Sequence, residues 1–317
     1  MKHVFVVNPA AGKGKVLELI KPKIEAVCKQ DDLDYAIHVT TGPYEGMDYV
    51  RQMASSGARL RFYACGGDGT IYEVVNGMWD APNAEFAAIP LGSGNDFVRL
   101  FGGKELFLEL EKVVHGDVVT LDIIRCGDQI AVNQCSMGFD AEVCAKQASY
   151  KKLPGMPGDA AYIAAIFGCV LRRTLGYPFQ IEIDGKKIDN GEMMLCVAGN
   201  SRWYGGGFMA APRAMPDDGL LDIVMIEKKG NRFKLLLDIF PKLRKGEHLD
   251  YPLTKFIRGK EVHIKSAEPA AVNVDGETKY VTEATFTLLE QAIRFVIPQG
   301  SPFFKTREEW EKKEVML

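Results

Sequence analysis

Leu60-Arg61-Phe62-Tyr63-Ala64-Cys65 runs directly into Gly66-Gly67-Asp68-Gly69-Thr70, and this stretch decides the fold. The first six residues are typical of a buried strand, and apolar side chains at helical spacing follow the turn: Ile71, Val74, Val75 and Met78. Three glycines allow the backbone to adopt positive φ and to approach a ligand closely. The N–H groups that open the helix form an anion site. A turn without a ligand is the simpler explanation, but GGDGT directly before a helix favours phosphate.

Two more glycine-rich turns follow predicted strands. Asn8-Pro9-Ala10-Ala11-Gly12-Lys13-Gly14-Lys15 comes after an apolar first strand, although it lacks the spacing of a P-loop. Pro90-Leu91-Gly92-Ser93-Gly94-Asn95-Asp96-Phe97 closes a fourth strand, and taken alone it is typical of an Asx turn or a helix cap. Ligands of parallel sheets bind at the carboxyl ends of the strands, so three such turns together predict a nucleotide site.

The pattern of the chain changes at about residue 122. Before it, strand-like and helical runs alternate, which predicts a doubly wound, mainly parallel α/β domain over 1–122. After it, alternating runs predict an antiparallel β-sandwich-like domain over 123–298, with a segment 299–317 that packs back on the first domain through Phe304, Trp310 and Val315. The strands expected are 4–8, 35–40, 60–65, 86–90 and 118–123, then 181–188 as a hairpin, 193–198, 221–226, 261–265, 271–274 and 284–289.

Composition limits the class of protein. The chain has 317 residues, of which 47% are hydrophobic, so we expect two domains. A net charge of -3 removes any global electrostatic attraction to nucleic acid. Seven cysteines without CxxC spacing favour buried thiols in a reducing cytoplasm. The N-terminus lacks a signal-peptide pattern, and the longest weakly polar stretch, Ala160–Leu171, is about half of the ~20 residues that span a membrane.

The three turns resemble those of the diacylglycerol kinase family, which includes sphingosine and ceramide kinases and soluble bacterial lipid kinases. The resemblance covers almost the whole chain and best matches the stand-alone bacterial form. Besides the turns, it is carried by Glu73, Asn76, Gly205-Gly206-Gly207, Pro212-Arg213-Ala214, Asp217-Asp218-Gly219 and Val274-Asp275-Gly276-Glu277.

The resemblance implies an ATP site and a catalytic Mg²⁺. The family commonly has threonine at the position of Ser93, and the hydroxyl is retained here. Asp68, Asp96 and Asp122 would organise the Mg²⁺ largely through water, which suits an ion that keeps several waters. The nucleotide would contact Asn8, Pro9, Ala10, Ala11, Gly12, Thr40, Gly66, Gly67, Asp68, Gly69, Thr70, Glu73, Ser93, Asn95 and Asp96.

Two further loops gain a function only through the resemblance. Asp218, with the carbonyls of Met215 and Leu220, would hold a structural Mg²⁺, whereas the residues alone favour a plain turn into the next strand. Asp275-Gly276-Glu277 alone would be a hairpin turn. In the family its carboxylates face the lipid hydroxyl, and one of them accepts the proton as the hydroxyl attacks the γ-phosphate. The choice between Asp275 and Glu277 stays open.

The resemblance therefore predicts a cytoplasmic lipid kinase that docks transiently on the inner membrane face and phosphorylates diacylglycerol or a similar lipid. Arg172-Arg173 and Lys242–Lys245 could meet anionic headgroups, although a solvated basic helix end explains each more simply. The sequence leaves open the oligomeric state, including a homodimer.

Other predicted functions differ in the acceptor of the phosphate or in whether the chain is catalytic. A sphingoid base or phosphatidylglycerol could replace diacylglycerol as the acceptor. An NAD kinase shares GGDGT, but it would carry Asn-Thr-Gly-x-Leu-Gly-Phe where this chain has Gly92-Ser93-Gly94-Asn95-Asp96. A catalytically silent lipid-binding regulator is expected to lack Asp68, Asp275 or Glu277, and all three are present.

Overall fold

The structure, a computed structural model, describes residues 1–150, 164–170, 175–189 and 191–314. The chain forms two compact units. Unit 1 comprises Met1–Asp122 and Glu290–Leu317, and unit 2 comprises Ile123–Leu289. The segment that belongs to unit 1 therefore starts at Glu290, earlier than the expected 299.

The elements follow in chain order. The strands are β1 (Lys2–Val7), β2 (Tyr35–Val39), β3 (Leu60–Gly66), β4 (Ala84–Pro90), β5 (Asp117–Cys126), β6 (Gln129–Ala131), β7 (Gln134–Gly138), β8 (Gln180–Ile183), β9 (Lys186–Ile188), β10 (Met193–Gly199), β11 (Leu221–Glu227), β12 (Thr254–Gly259), β13 (Glu261–Val274) and β14 (Glu277–Ile297). The helices are α1 (Val16–Gln30), α2 (Glu45–Ala54), α3 (Asp68–Met78), α4 (Lys104–Phe107), α5 (Leu110–Val114), α6 (Phe139–Tyr150), α7 (164–170), α8 (Arg232–Lys245) and α9 (Phe303–Glu314).

Unit 1 is built on a parallel sheet in the order β2-β1-β3-β4, and the end of β14 pairs in parallel with β4. Every residue of β3 and of β4 is buried, as expected for parallel strands covered on both faces. Because all four strands run the same way, the turns that follow them lie at one edge of the sheet.

Aromatic rings fill the end of the unit 1 core. Phe101 lies 4.9 Å from Phe295 and 4.8 Å from Phe303 between ring centroids, and all three are buried. The sequence assigned the packing role in the last helix to Phe304, and this is wrong: Phe304 is 45% exposed and Phe303 takes that role. Val315, assigned the same role, lies outside the described residues.

Unit 2 is antiparallel, with the order β12-β11-β10-β7-β13-β14 and the hairpin β8-β9 beside β13. The strands expected at 261–265 and 271–274 form one strand with an irregularity between Lys265 and Ala270. The predicted mixed architecture, parallel first and antiparallel second, is confirmed. Strands β6, β7 and β12 were not predicted.

A second apolar core lies within unit 2, where α6, α7 and α8 pack with β10 and β11. All seven cysteines carry free thiols, and six of them are buried. Within the described ranges, no helix is both long and apolar enough to cross a membrane.

Candidate active site

Two of the glycine-rich turns are in direct backbone contact. A Cβ atom added to Gly92 would stand 2.4 Å from the Cα atom of Gly67. The N–H groups of Leu91 and Gly92 both donate to the Gly66 carbonyl, at 2.7 and 3.0 Å. A side chain at Gly92 would separate the turns, so glycine is required there for them to meet at the carboxyl ends of β3 and β4.

The glycines of GGDGT therefore serve close packing, and the positive φ expected of them is wrong. Gly66, Gly67 and Gly69 all have negative φ, and Gly67 is the extended N-cap of α3 with φ of -102°. A Cβ atom on Gly66 would stand 2.1 Å from Oγ1 of Thr70. The turn folds its own threonine back against the strand end.

Asp68, the first residue of α3, links the second and third turns through its carboxylate. Its Oδ2 accepts a hydrogen bond from the N–H of Asn95 at 2.8 Å, and its Oδ1 accepts one from the N–H of Asp96 at 2.9 Å. Asn95 has a φ of 54°, and its Nδ2 donates to the Gly92 carbonyl at 2.6 Å. Burial, and then the charge of Asp96, raises the pKa of Asp68.

The first turn and Thr40 lie at the same sheet edge. The Asn8 N–H donates to the Cys65 carbonyl at 3.0 Å, and Nδ2 of Asn8 donates to Oγ1 of Thr70 at 3.4 Å. Thr40 is buried, and its N–H donates to the Val7 carbonyl at 2.9 Å. The structure thus brings together all three predicted turns.

Glu73 and Ser93 occupy different surroundings. Oε1 of Glu73 accepts a hydrogen bond from the N–H of Tyr44 at 3.1 Å, and a Cβ atom on Gly46 would stand 2.7 Å from its Oε2. Glu73 therefore holds the start of α2. Ser93 is exposed at the tip of the third turn. Their contacts to a nucleotide remain predictions.

Asp68 and Asp96 form a pair of carboxylates, and Oδ1 of Asp96 also accepts a hydrogen bond from Nε of Arg99 at 2.9 Å. Each charge disfavours the other, and a divalent cation relieves that repulsion; Mg²⁺ is commonly held by one or two carboxylates together with phosphates. Asp122 is buried in β5 and accepts a hydrogen bond from the Gln291 N–H at 2.7 Å. Across the described chain, no three or more His, Cys, Asp or Glu side chains are grouped to hold a metal. A water-mediated role of Asp122 remains a prediction.

The two acidic residues of the Asp275-Gly276-Glu277 turn differ in their surroundings. The Asp275 carboxylate accepts hydrogen bonds from three consecutive N–H groups, those of Val132 at 2.6 Å, Asn133 at 3.1 Å and Gln134 at 2.9 Å. These bonds fix the Asp275 carboxylate against the 132–134 backbone. Glu277 is partly exposed at the start of β14.

The Met215–Leu220 loop, where the resemblance implies a structural Mg²⁺, carries an ion pair at Asp218. Oδ2 of Asp218 is paired with the Arg258 guanidinium, whose Nε also donates to Asp222 at 3.0 Å, and Oδ1 accepts the Leu220 N–H at 2.9 Å. The Met215 carbonyl accepts the N–H of Asp218 at 3.3 Å. The structural Mg²⁺ at this loop remains a prediction.

Unit 2 contains an apolar pocket between α6, α8 and β10. Aromatic and aliphatic side chains form most of its lining: Phe139, Val143, Met194, Tyr204, Phe208 and Phe240. Asp140 also lines it. Sequence reasoning missed Asp140 and Arg258, because neither stands in a motif and only tertiary packing gives each its surroundings.

Two families match successive parts of the chain. Residues 2–126 match the Diacylglycerol kinase catalytic domain, and residues 133–297 match the YegS C-terminal NAD kinase beta sandwich-like domain. The second match alone covers more than half of the chain, and its description agrees with the predicted sandwich-like second domain.

Relatives and solved structures extend over most of the chain. The Shewanella frigidimarina protein named "Probable lipid kinase YegS-like" is 31% identical over 75% of this chain and 76% of its own length. A diacylglycerol kinase of Staphylococcus aureus strain JH9 is 30% identical over 93% of this chain and 91% of its own. The crystal structure of a diacylglycerol kinase from Bacillus anthracis superposes with a TM-score of 0.73 at 25% identity, covering 94% of this chain and 97% of the other. The chain belongs to the diacylglycerol kinase family and is a lipid kinase, a nucleotide-binding transferase.

Proposed function

We propose that the chain transfers the γ-phosphate of ATP, with Mg²⁺, to the hydroxyl of diacylglycerol or a similar acyl lipid, giving a phosphatidate-like product. The observation that carries this proposal is the link of Asp68 to the third turn, which joins two glycine-rich turns at one sheet edge. Relatives named diacylglycerol kinase support the class of acceptor.

The backbone of the three turns binds the phosphates in this proposal. The first N–H groups of a helix have no acceptor within it and favour an anion; Thr70 and Ile71 donate to the Gly67 carbonyl, so those of Asp68 and Gly69 take this role at the start of α3. Asn8 and Thr70 add side-chain polar groups on the same edge. Asp68 and Asp96 hold Mg²⁺, which when bound supplies charge neutralisation on the transferred phosphoryl group.

Glu277, rather than Asp275, accepts the proton of the lipid hydroxyl. The three N–H donors on Asp275 fix its carboxylate to the 132–134 backbone and occupy its lone pairs. An unactivated hydroxyl needs a base within hydrogen-bond reach, and Glu277 is the remaining carboxylate of the turn. Asp275 then serves to position the turn.

Peripheral contact with an anionic membrane surface is part of the proposal, and the outer face of α8 supports it. Leu237 is 76% exposed and Phe233 46% exposed one turn apart, while Lys234, Arg244 and Lys245 are exposed on the same helix. Exposed apolar side chains beside basic ones are typical of helices that lie on anionic lipid. The other basic pair, Arg172-Arg173, lies outside the described residues.

A lipid screen tests the proposal. Purified protein with γ-labelled ATP and Mg²⁺ is presented with diacylglycerol, phosphatidylglycerol, sphingosine, ceramide and undecaprenol in mixed micelles, and with NAD. We expect label in a phosphatidate-like product that disappears when a chelator is added. Labelled NADP without labelled lipid contradicts the proposal, and so does the absence of any labelled product.

A further inference from the structure

Two hairpin turns of unit 2 have the same local structure. Asp184-Gly185 and Asp275-Gly276 both place the aspartate at a φ of 47° and the glycine at positive φ, which is typical of a two-residue turn. Each aspartate carboxylate also accepts N–H groups from a neighbouring stretch of backbone. Oδ1 of Asp184 accepts those of Lys260 and Glu261, both at 2.9 Å. The first turn therefore shows how this chain holds an Asp-Gly turn that no predicted site residue follows.

The backbone that holds Asp184 is itself fixed by other backbone. The Lys260 carbonyl accepts the N–H of Leu288 at 2.8 Å, and the Glu261 carbonyl accepts the N–H of Asp184 at 3.1 Å. Both are main-chain bonds between neighbouring strands, which do not depend on the identity of the side chains.

A side-chain amide holds the backbone that binds Asp275. Residues 132–134 donate their three N–H groups to the Asp275 carboxylate, and the first two of these residues lie between β6 and β7. Nδ2 of Asn200 donates to the Val132 carbonyl at 2.9 Å. The Asn133 carbonyl accepts the N–H of Asn200 at 2.8 Å. Asn200 therefore binds the carbonyl groups of the same segment whose N–H groups bind Asp275.

Asn200 lies in the interior of unit 2. It follows β10 directly and is 1% exposed, and Asn133 is also buried. Breaking a hydrogen bond of a buried amide is costly, because no water replaces the lost partner. The contact of Asn200 with residues 132–134 is therefore held in one geometry, as the support of a functional site requires.

This support reaches Glu277 through the turn. Glu277 begins β14 and pairs with Val274, so its position follows from the turn between them. Oδ1 of Asn273 accepts the Gly276 N–H at 2.7 Å, which fixes the turn from within its own hairpin. Residues 132–134 fix it from outside. A base must lie within hydrogen-bond reach of the proton that it accepts, and a displacement of about 1 Å can cost about 100-fold in rate.

We propose that Asn200 is a positioning residue for phosphoryl transfer: it holds residues 132–134, which hold the Asp275 turn so that Glu277 meets the hydroxyl of the acceptor lipid. The inference rests on the proposed function and adds a residue that lies outside all the turns described above. Asn200 acts through Glu277 and leaves the binding of ATP and of lipid to other residues. A purely structural Asn200 would affect stability alone.

Steady-state kinetics separate positioning from stability. Asn200→Ala should lower kcat by about 10- to 100-fold, while KM for ATP and KM for the lipid stay within about twofold of the wild type. Asn200→Ser, whose side chain is shorter by one bond and lacks the amide, should show the same loss and serves if the alanine variant does not fold. Asn83→Ala is the matched control, because Nδ2 of Asn83 donates to the Ala54 carbonyl at 3.3 Å in unit 1. It should lower stability in urea and keep kcat.

A double variant tests whether Asn200 acts through Glu277. Asn200→Ala combined with Glu277→Gln should be no more than about twofold slower than Glu277→Gln alone, because the base whose position is lost is already absent. Hydrogen exchange gives a readout without turnover: the N–H groups of residues 132–134 should exchange faster in Asn200→Ala than in the wild type, and at the wild-type rate in Asn83→Ala.

Wild-type kcat in the Asn200 variants overturns the inference. Losses that multiply in the double variant also overturn it, since Asn200 would then act independently of Glu277. As long as the wild type phosphorylates lipid, these outcomes remove the inference alone, whereas a wild type that phosphorylates no lipid removes the proposed function.

Discussion

Asp68 combines a structural and a chemical role in one side chain. Its two oxygens accept hydrogen bonds from neighbouring N–H groups of the third turn, which leaves further lone pairs on both oxygens for a solvated cation. The same bonds fix the distance between the turns. A change at Asp68 therefore alters the phosphate site in charge and in shape together.

Asp68→Asn should lower the phosphoryl-transfer rate by about 100-fold or more, since electrostatic stabilisation of the transferred group is usually the largest catalytic contribution. Lipid binding should stay unchanged. The measurement is kcat with labelled ATP, beside lipid binding in micelles. Asp80→Asn, exposed just beyond α3, is the matched control. Turnover within threefold of the wild type would refute the metal role of Asp68.

The Asp275 turn gives a second pair of variants with opposite expected outcomes. Glu277→Gln should lower kcat by about 100-fold or more while leaving stability unchanged, as loss of a general base does. Asp275→Ala should cost about 3 kcal/mol of unfolding free energy, because three N–H groups lose their acceptor. Urea denaturation measures the unfolding free energy of both variants, and phosphoryl-transfer assays measure their kcat. Full stability of Asp275→Ala would show that the three hydrogen bonds to its carboxylate do not stabilise the fold.

Arg258 gives a residue-scale test of the Met215–Leu220 loop. Asp218 and Asp222 are both buried and share the Arg258 guanidinium, so Arg258→Met should cost about 3 to 5 kcal/mol, as removal of one partner of a buried ion pair does. Unfolding of the wild type without nucleotide should be insensitive to EDTA. Arg125→Met, at an exposed position, is the control. Destabilisation of the wild type by EDTA would instead support a structural Mg²⁺ at this loop.

At the scale of elements, the sequence predicts best where its pattern is local. The run Leu60–Cys65 and the GGDGT turn fix β3 and α3, because a continuous apolar strand followed by glycines has few other arrangements. Strands β7 and β12 were missed, since Gln134–Gly138 is short and Thr254–Gly259 lacks strict alternation. Strands β7 and β12 form because antiparallel partners far away in the chain pair with them, although their own sequences lack a clear strand pattern.

In the candidate active site too, local sequence features could be predicted and long-range contacts could not. The residues of the turns could be identified from glycine spacing and resemblance, but the contact of Gly67 with Gly92 depends on two strands packing side by side. The pairing of Asp218 with Arg258 could not be predicted, because Arg258 stands far away in the sequence. Electrostatic partners of this kind have no local signature.

The exposed face of α8 is the element that should carry membrane contact. Leu237→Ser and Phe233→Ser should each weaken binding to vesicles of phosphatidylglycerol by about threefold to tenfold, since each buries less apolar surface in the lipid. Co-sedimentation with vesicles measures this. Leu19→Ser, on α1 and also 60% exposed, is the control that should bind as the wild type does. Equal losses in all three variants would contradict a specific docking face.

At the scale of the whole molecule, two buried groups give stability opposite pH dependences. Burial lowers the pKa of His3 to about 4, so its contribution is present above pH 6.5 and is lost as pH falls towards 4. The raised pKa of Asp140 makes its contribution present below pH 4 and lost as pH rises through 6.

His3→Gln and Asp140→Asn should therefore change the pH profile of unfolding in opposite directions, each by up to about 3 kcal/mol between pH 4 and 6.5. His3→Gln should remove a loss on acidification, and Asp140→Asn should remove a loss on raising the pH. Urea denaturation across this pH range is the measurement. If both variants changed the pH profile of unfolding in the same direction, the two groups would not titrate as their burial requires.

The division of unit 1 into two stretches of sequence has a consequence for synthesis. Its last strand pair, Phe295 beside Phe86, and the ring contact of Phe303 with Phe101 join residues made early to residues made late. At ~5–20 residues per second, the ribosome takes roughly 10 to 30 s to pass from Asp122 to Glu290. For that time the nascent nucleotide-binding unit lacks one strand of its sheet, and β4 is left as an unpaired apolar edge.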